Sequence, residues 1–414
     1  MRNYWQFLQQ GWPLLVFGFL AVFFGNFGQS FFISWYGAAI QADLNLSAST
    51  YGAAYSFATL VSGSALMFVG GWIDKWSLRR FASTVALGLF VGCLTLAFTH
   101  NIVLLVIGFF LVRLFGQGLF PHTGITTMAR SFDKNRGKAL SIATMGVPVG
   151  EVILPILAVL FIAKFGWQMS WAAFALLIPV VFIPCMLFVV RRAHQLGLQV
   201  DPEIKAQSLE TSVKDQPATQ AVGRKQVLRD YRFWLALPVM LSGPFVVTGV
   251  FIHQGFILAQ KQWSPEWFAA CFIFYGVVHG LGSMGVGFLI DRFSATRLLP
   301  FKALPIVFAL LLLAFANGPW VAWAMLGLLG VSIGCGGPIG AALWAEVYGT
   351  EKLGAIRSMT SSFAVWSTAV SPILFGVLID NGMSIQALMS GVAVYVSAAT
   401  LMAYIAYRVK SKGI

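Results

Sequence analysis

The sequence predicts an all-α membrane protein of twelve transmembrane helices in two six-helix bundles, and three observations carry that expectation. Of 414 residues, 58% are hydrophobic and only 10% charged, with a mean hydropathy of +0.80; a soluble core cannot hide that much apolar surface, so lipid must cover it. Apolar stretches of about 20 residues, the length that crosses a bilayer as helix, recur along the chain. An eleven-residue pattern also occurs twice, 217 positions apart: Gly70, Asp74, Lys75 and Arg80 reappear as Gly287, Asp291, Arg292 and Arg297. The same offset aligns Phe57 with Phe274, Gly63 with Gly280, Pro121 with Pro338, Gly137 with Gly354 and Pro155 with Pro372. One unit has been duplicated, and paired membrane repeats are how many secondary transporters form a substrate site where the halves meet. Movement of a solute across a membrane is the activity implied.

Taken in order, the expected spans of the first half run from Trp12 to Ile40, Thr50 to Ile73, Phe81 to Phe98, Ile102 to Met128, Ala139 to Phe165 and Trp167 to Val190. Those of the second run from Phe233 to Ala259, Trp267 to Ile290, Leu298 to Ala316, Trp320 to Ala345, Ala355 to Ile379 and Ile385 to Tyr407. Between them hydrophobicity collapses into a stretch rich in Gln, Lys, Glu, Asp and Thr. The expected organisation is a bundle over 1–190, a cytoplasmic linker over 191–230 that lets two bundles rock, and a second bundle over 231–414.

Positive charge orients the chain. Of 27 basic residues only Lys164 and Lys261 fall in loops on one side, and only Arg113 lies deep in a span; the rest, among them Lys302 and Arg357, gather on the side that holds both termini. Both ends are therefore expected in the cytoplasm. The net charge of +13 is an orientation signal and a face suited to anionic headgroups, not a nucleic-acid surface. The first apolar run is too long for a signal peptide and reads as a span. Short loops favour a bacterial inner (plasma) membrane, although Asn45-Leu46-Ser47 has the form of a glycosylation sequon.

Enzyme chemistry finds no support. No Gly-x-x-x-x-Gly-Lys-Ser/Thr phosphate loop is present, no His, Cys and carboxylate cluster has metal spacing, and no nucleophile has a base beside it. The four cysteines, Cys93, Cys185, Cys271 and Cys335, lie singly in separate apolar runs. No cofactor or metal is expected, and the energy source should be an ion gradient. Expected partners are a small-molecule substrate, protons and membrane lipids, with the chain acting as a monomer.

At the repeated pattern the sequence resembles the major facilitator superfamily. Gly70-Gly71-Trp72-Ile73-Asp74-Lys75-Trp76-Ser77-Leu78-Arg79-Arg80 is similar to the signature loop between that family's second and third spans, and Gly287 to Arg297 is its echo between the eighth and ninth. The resemblance covers the chain outside the linker. It implies that Asp74, Arg80, Asp291 and Arg297 govern closing of the inner side, and glycine together with pairing at helix ends makes that physically intelligible. Arg113-Leu114-Phe115-Gly116-Gln117-Gly118 is similar to the family's fourth-span Arg and Gly-rich motif. Arg136-Gly137-Lys138-Ala139, continuing through Gly146, Gly150 and Pro155, resembles the fifth span of monocarboxylate and oxalate/formate-type porters. The acidic and basic pair of the animal monocarboxylate porters' eighth span is missing.

Ionisable groups at membrane depth cost at least ~2.5 kcal/mol and ask for a reason. Arg113 lies 11 residues into its span, Glu151 and His279 each 12, which at 1.5 Å per residue puts all three roughly 16 to 18 Å from an end of the bilayer. Their repeat counterparts are Gly330, Thr368 and Ser62, so the halves differ where the polar residues are. Arg113 and Gln117, four apart, share a helix face, as do Asn26 and Gln29. The family arrangement implies that these look into the cavity and that Glu151 and His279 lie on helices that approach each other. Tyr36 and its counterpart His253 are further candidate lining residues. Glu151 and His279 are the candidate proton-coupling groups, since burial raises and a nearby cation lowers a carboxyl pKa and histidine titrates near neutrality. A self-neutralising structural pair of Arg113 and Glu151 is the alternative. The expected function is proton-linked transport of an organic anion by alternating access; proton-driven efflux of amphipathic compounds and a non-transporting sensor on the same scaffold are the other readings.

Overall fold

A computed structural model describes residues 2–132, 135–198, 224–349 and 353–408. Among the described residues there are helices and turns and no strand. Ten helices are long and apolar enough to cross a membrane, and Phe301–Phe315 is a shorter apolar one. The longest, Arg136–Gln195, contains Gly166 at φ 78, a backbone region open to glycine at little cost. The chain kinks there, between the expected fifth and sixth spans. Polar residues begin several helices: Ser77 accepts from Arg80 N at 3.4 Å, Asn101 from Leu104 N at 2.9 Å and Ser264 from Trp267 N at 3.2 Å, each satisfying an amide that the first turn leaves open. Outward faces are apolar too, with Phe68 and Phe288 among the exposed side chains, as expected of helices surrounded by lipid.

The first expected span is not one continuous helix. Arg2–Gly25 is followed by a 3-10 turn at Asn26–Gly28, an extended Gln29, and the short pieces Ser30–Ile33, Ser34–Tyr36 and Gly37–Asp43. Of the linker expected over 191–230, residues 199–223 lie outside the described residues, while its edges are helical in Ile183–Gln195 and Arg224–Arg229.

The chain divides into two compact units, Met1–Leu44 with Phe57–Gln216, and Asn45–Ser56 with Pro217–Ile414. The first unit has an aromatic core in which Phe24 meets Phe27 at 5.4 Å and Phe182 at 5.2 Å, Phe120 meets Phe182 at 4.7 Å and Phe32 meets Phe174 at 4.9 Å. In the second, Pro265–Phe293 and Trp320–Tyr348 approach closely through glycine: a Cβ on Gly330 would stand 2.8 Å from the Tyr275 carbonyl, the small-residue contact that lets membrane helices pack backbone to backbone. Lys261, in the loop helix Gln254–Lys261, donates Nζ to the Ala316 carbonyl at 2.9 Å and so closes a helix end; partial burial holds its pKa below the usual lysine range. The Asn45–Ser56 segment is seated within this second unit by Asp380, whose carboxylate accepts from Ala48 N at 3.1 Å and Ser49 N at 2.8 Å.

Candidate functional site

In the first unit the break in the first span sits against a deformation in the fourth. Helix Ile102–Leu111 runs into a π-helical stretch, Val112–Leu119, before α-helix resumes at Phe120–Ser131. Pro121 has no N–H to give an upstream carbonyl. The counterpart helix Trp320–Tyr348 carries Pro338 and remains α-helical, so proline is not sufficient. What the first unit adds is Gly28, whose Cα lies where a Cβ would collide with the Val112 carbonyl and the Gln117 amide. The wedged backbone and the widened turn accommodate each other, and such π turns are frequent at functional sites.

This geometry gathers five of the residues singled out in the sequence. Arg113 is 3% exposed and donates Nη1 to the Gly28 carbonyl at 3.3 Å. Gln117 lies half-buried one turn on. Asn26 is fully buried and donates Nδ2 to the Gly146 carbonyl at 2.9 Å, and it fills the space left by the absent side chain of Gly150. Glu151, 3% exposed, follows Gly150 on that helix. Asn26 Oδ1 is buried with no hydrogen-bond donor among the described residues, a costly state for a polar atom. Gln29 is half-buried in the extended link of the broken span. Tyr36 is apart from this group: it is fully buried, bonded to Ser170 Oγ at 3.0 Å and packed on Trp171 at 4.5 Å.

The second unit holds His253 and His279. His253 is 3% exposed, with Nε2 on the Pro372 carbonyl at 2.7 Å and its ring stacked toward Phe375. His279 is half-buried, 6.0 Å from the Tyr275 ring. This unit also contains a cavity of about 400 Å³ lined by the Tyr231–Ile252, Trp320–Tyr348 and Leu353–Asp380 helices, with Gly243, Gly336, Gly337 and Gly340 in its walls. Lys302 and Arg357 face it. Lys302, expected among the charges of one membrane face, is only 7% exposed. Counting it there missed this. The signal was in the repeat, where its counterpart Val85 is a core residue, 2% exposed.

The two signature loops are held in opposite ways. In the first, Asp74 pairs with Arg130 from the end of Phe120–Ser131, and Arg130 Nη1 also donates to the Ile73 carbonyl at 3.1 Å. Arg80 lies over the Trp76 ring at 4.4 Å. In the second, Glu346 accepts from Ala295 N at 2.8 Å and Thr296 N at 3.2 Å, while Asp291 and Arg297 are exposed. Arg130 and Glu346 were missed as anchoring groups, although they fall one position apart at the 217 offset.

Residues 18–372 match the family described as the Major Facilitator Superfamily. Two crystal structures of the nucleoside transporter NupG, one a point mutant, superpose with TM-scores of 0.70 and 0.72, covering 96% and 95% of this chain and all of theirs, at 12% identity; that likeness is one of fold. An Aspergillus flavus protein named MFS transporter asaE is 24% identical over 64% of this chain and 57% of its own length. An uncharacterized MFS-type transporter of Bacillus subtilis, YcxA, is 25% identical over 49% of this chain and 47% of its own. The chain thus spans about half the length of the curated relatives it matches. The family match takes in the broken first span, the π-deformed fourth and both signature loops, and the chain belongs to the Major Facilitator Superfamily.

Proposed function

We infer that this chain is a secondary active transporter that carries a small organic anion, coupled to protons, by alternating access. The reading takes the Arg136–Gln195 helix as two spans divided at Gly166 and counts Phe301–Phe315 as another, which makes twelve in bundles over 1–190 and 231–414, with both termini cytoplasmic in a bacterial inner membrane. The observation that carries it is Arg113, a fixed cation buried in a π turn against a broken span. A guanidinium there suits a carboxylate, and irregular backbone at membrane depth is tolerated where it builds a site. Gln117, Asn26 and Gln29 complete the polar group in the first unit; Tyr36, His253 and His279 are further substrate-lining assignments. Glu151 and His279 are the proton-coupling groups, and the donor that Asn26 Oδ1 lacks supports a protonation or ligation event at this place. Asp74, Arg80, Asp291 and Arg297 act in the inner gate. The fifth-span run Arg136 to Pro155 favours the monocarboxylate and oxalate/formate branch.

Uptake into proteoliposomes tests this, using a panel of organic acids and amphipathic cations with a pH gradient of either sign. An acid should accumulate with inward protons. Well-folded Arg113→Ala should lose it and Arg113→Lys keep weak binding. Unchanged substrate affinity in Arg113→Ala, or gradient-driven movement of cations alone, would overturn the reading.

A further inference from the structure

Lys302 is a buried charge that the reading above leaves without a task. It sits in the turn Phe301–Ala303 before the Leu304–Phe315 helix. Ser332 Oγ donates to its backbone carbonyl at 2.6 Å, so the main chain is fixed and the side chain runs toward Gly336, where a Cβ would stand 3.5 Å from Nζ. Among the described residues no carboxylate lies within ion-pair distance of Lys302. A cation withdrawn from water without a counter-charge is far costlier than an apolar residue in the same place. A position that only had to pack would carry valine, as Val85 does in the other repeat.

The cavity that Lys302 faces has the rest of a binding site. Arg357 adds a planar fork from another helix. Leu237, Met240 and Trp344 form apolar walls. Gly337 has nothing within 4 Å of where its Cβ would be, and Gly336 meets only Lys302 Nζ at 3.5 Å. About 400 Å³ is within the range of small-molecule pockets and too little for a two-chain lipid. Two cations facing an otherwise apolar chamber select for a negative charge on an apolar body.

We propose that this cavity of the second unit binds an aromatic carboxylate, with Lys302 and Arg357 holding the carboxylate and Trp344 lying against the apolar part. The site goes beyond the Arg113 reading, because it is built wholly within the second unit and its two cations are its own. Its failure and the failure of that reading therefore show on different residues.

Isothermal titration of the purified full chain in detergent decides it, with benzoate, phenylacetate, indole-3-acetate and 1-naphthoate, each against its neutral amide. At least one acid should bind and its amide should not. Lys302→Gln and Arg357→Gln should each weaken that acid tenfold or more, Lys302→Arg should restore most of the affinity, and Arg113→Gln is the comparison in the first unit. Gly337→Phe, which places in the cavity the residue that Phe120 supplies in the other repeat, should abolish binding while leaving the melting temperature near that of the parent. Acid binding that Lys302→Gln, Arg357→Gln and Gly337→Phe all leave intact overturns the proposal, whatever Arg113→Gln does. So does equal binding of acids and amides, or binding of none of the acids by the stable parent protein. Binding lost in the Lys302 and Arg357 variants but kept in Arg113→Gln upholds this site, and the role of Arg113 is then decided by the uptake measurement alone.

Discussion

Phe24, Phe27, Phe115 and Phe120 of the first unit stand, 217 positions on, as Leu241, Pro244, Ser332 and Gly337 of the second. In the first unit the rings pack against one another, Phe24 to Phe120 at 6.4 Å and Phe120 to Phe182 at 4.7 Å, and Phe182 itself becomes Ala399. In the second the same region is a cavity. The backbone follows the opposite pattern: the first unit breaks its span at Asn26–Gly28, whereas Tyr231–Ile252 runs helically through Gly243, Pro244 and Phe245. One duplicated scaffold has thus been specialised twice. Aromatic filling in one copy supports an irregular backbone with a buried arginine and glutamate; loss of aromatic bulk in the other copy leaves a regular helix beside an open chamber.

The largest effect that can break this comparison is at Glu151. If Glu151 is the coupling carboxylate, Glu151→Gln mimics its protonated form, so driven accumulation should fail while exchange of labelled for unlabelled substrate survives. If it only neutralises Arg113, the same change leaves a buried cation uncompensated, costs about 3 to 5 kcal/mol, and takes exchange away together with thermal stability. A stable Glu151→Gln protein that still accumulates substrate against its gradient would eliminate both roles.

Next in size is the contrast between two glycines. Gly28→Ala drives a methyl into the Val112 carbonyl and Gln117 amide, backbone atoms that cannot step aside, and should cost about 3 kcal/mol by overpacking. Gly337→Ala meets nothing within 4 Å and gains helix propensity, so it should be neutral or stabilise by up to ~1 kcal/mol. Thermal melts of the two variants in one detergent measure this. Equal destabilisation would mean that the second cavity is tighter than its lining allows.

How much of this was legible in the sequence follows from where the information lies. Apolar run length is local and anticipated long apolar helices and a boundary between spans at Gly166, where the chain kinks within Arg136–Gln195; the repeat offset paired the segments around Asp74 and Asp291. Arg113, Asn26, Gln117 and Glu151 were legible because charge and amide groups stand out in an apolar run. The break at Asn26–Gly28 was not, since it depends on Gly28 meeting a helix more than 80 residues away. Lys302 read as one more positive charge near a membrane face; its alignment with Val85 in the other repeat was the one pointer in the sequence, and its packing against Ser332 and Gly336 shows that it is withdrawn from solvent. Tyr36 read as a candidate lining residue, and it is fully buried and packs on Trp171.

The smallest expected effects sharpen the comparison of the two signature loops. Arg130 and Asp74 pair with side chains 35% and 60% exposed, so Arg130→Gln should cost roughly 0 to 1 kcal/mol and the loss should shrink at high salt. Glu346 instead caps two amides of a helix start, and Glu346→Gln should cost about 1 kcal/mol with less salt dependence. The same difference should appear in gating, read as labelling of single cysteines from each side of the membrane. In the first loop Asp74→Asn and Arg130→Gln should move the pattern alike toward inward-open, because they remove the two ends of one contact. In the second loop Glu346→Gln should outweigh Asp291→Asn, because the glutamate makes the contact while the aspartate is exposed. A larger shift from Asp291→Asn than from Glu346→Gln would show that the second loop is anchored through its aspartate, as the first is, and the asymmetry between the two copies would not extend to their gates.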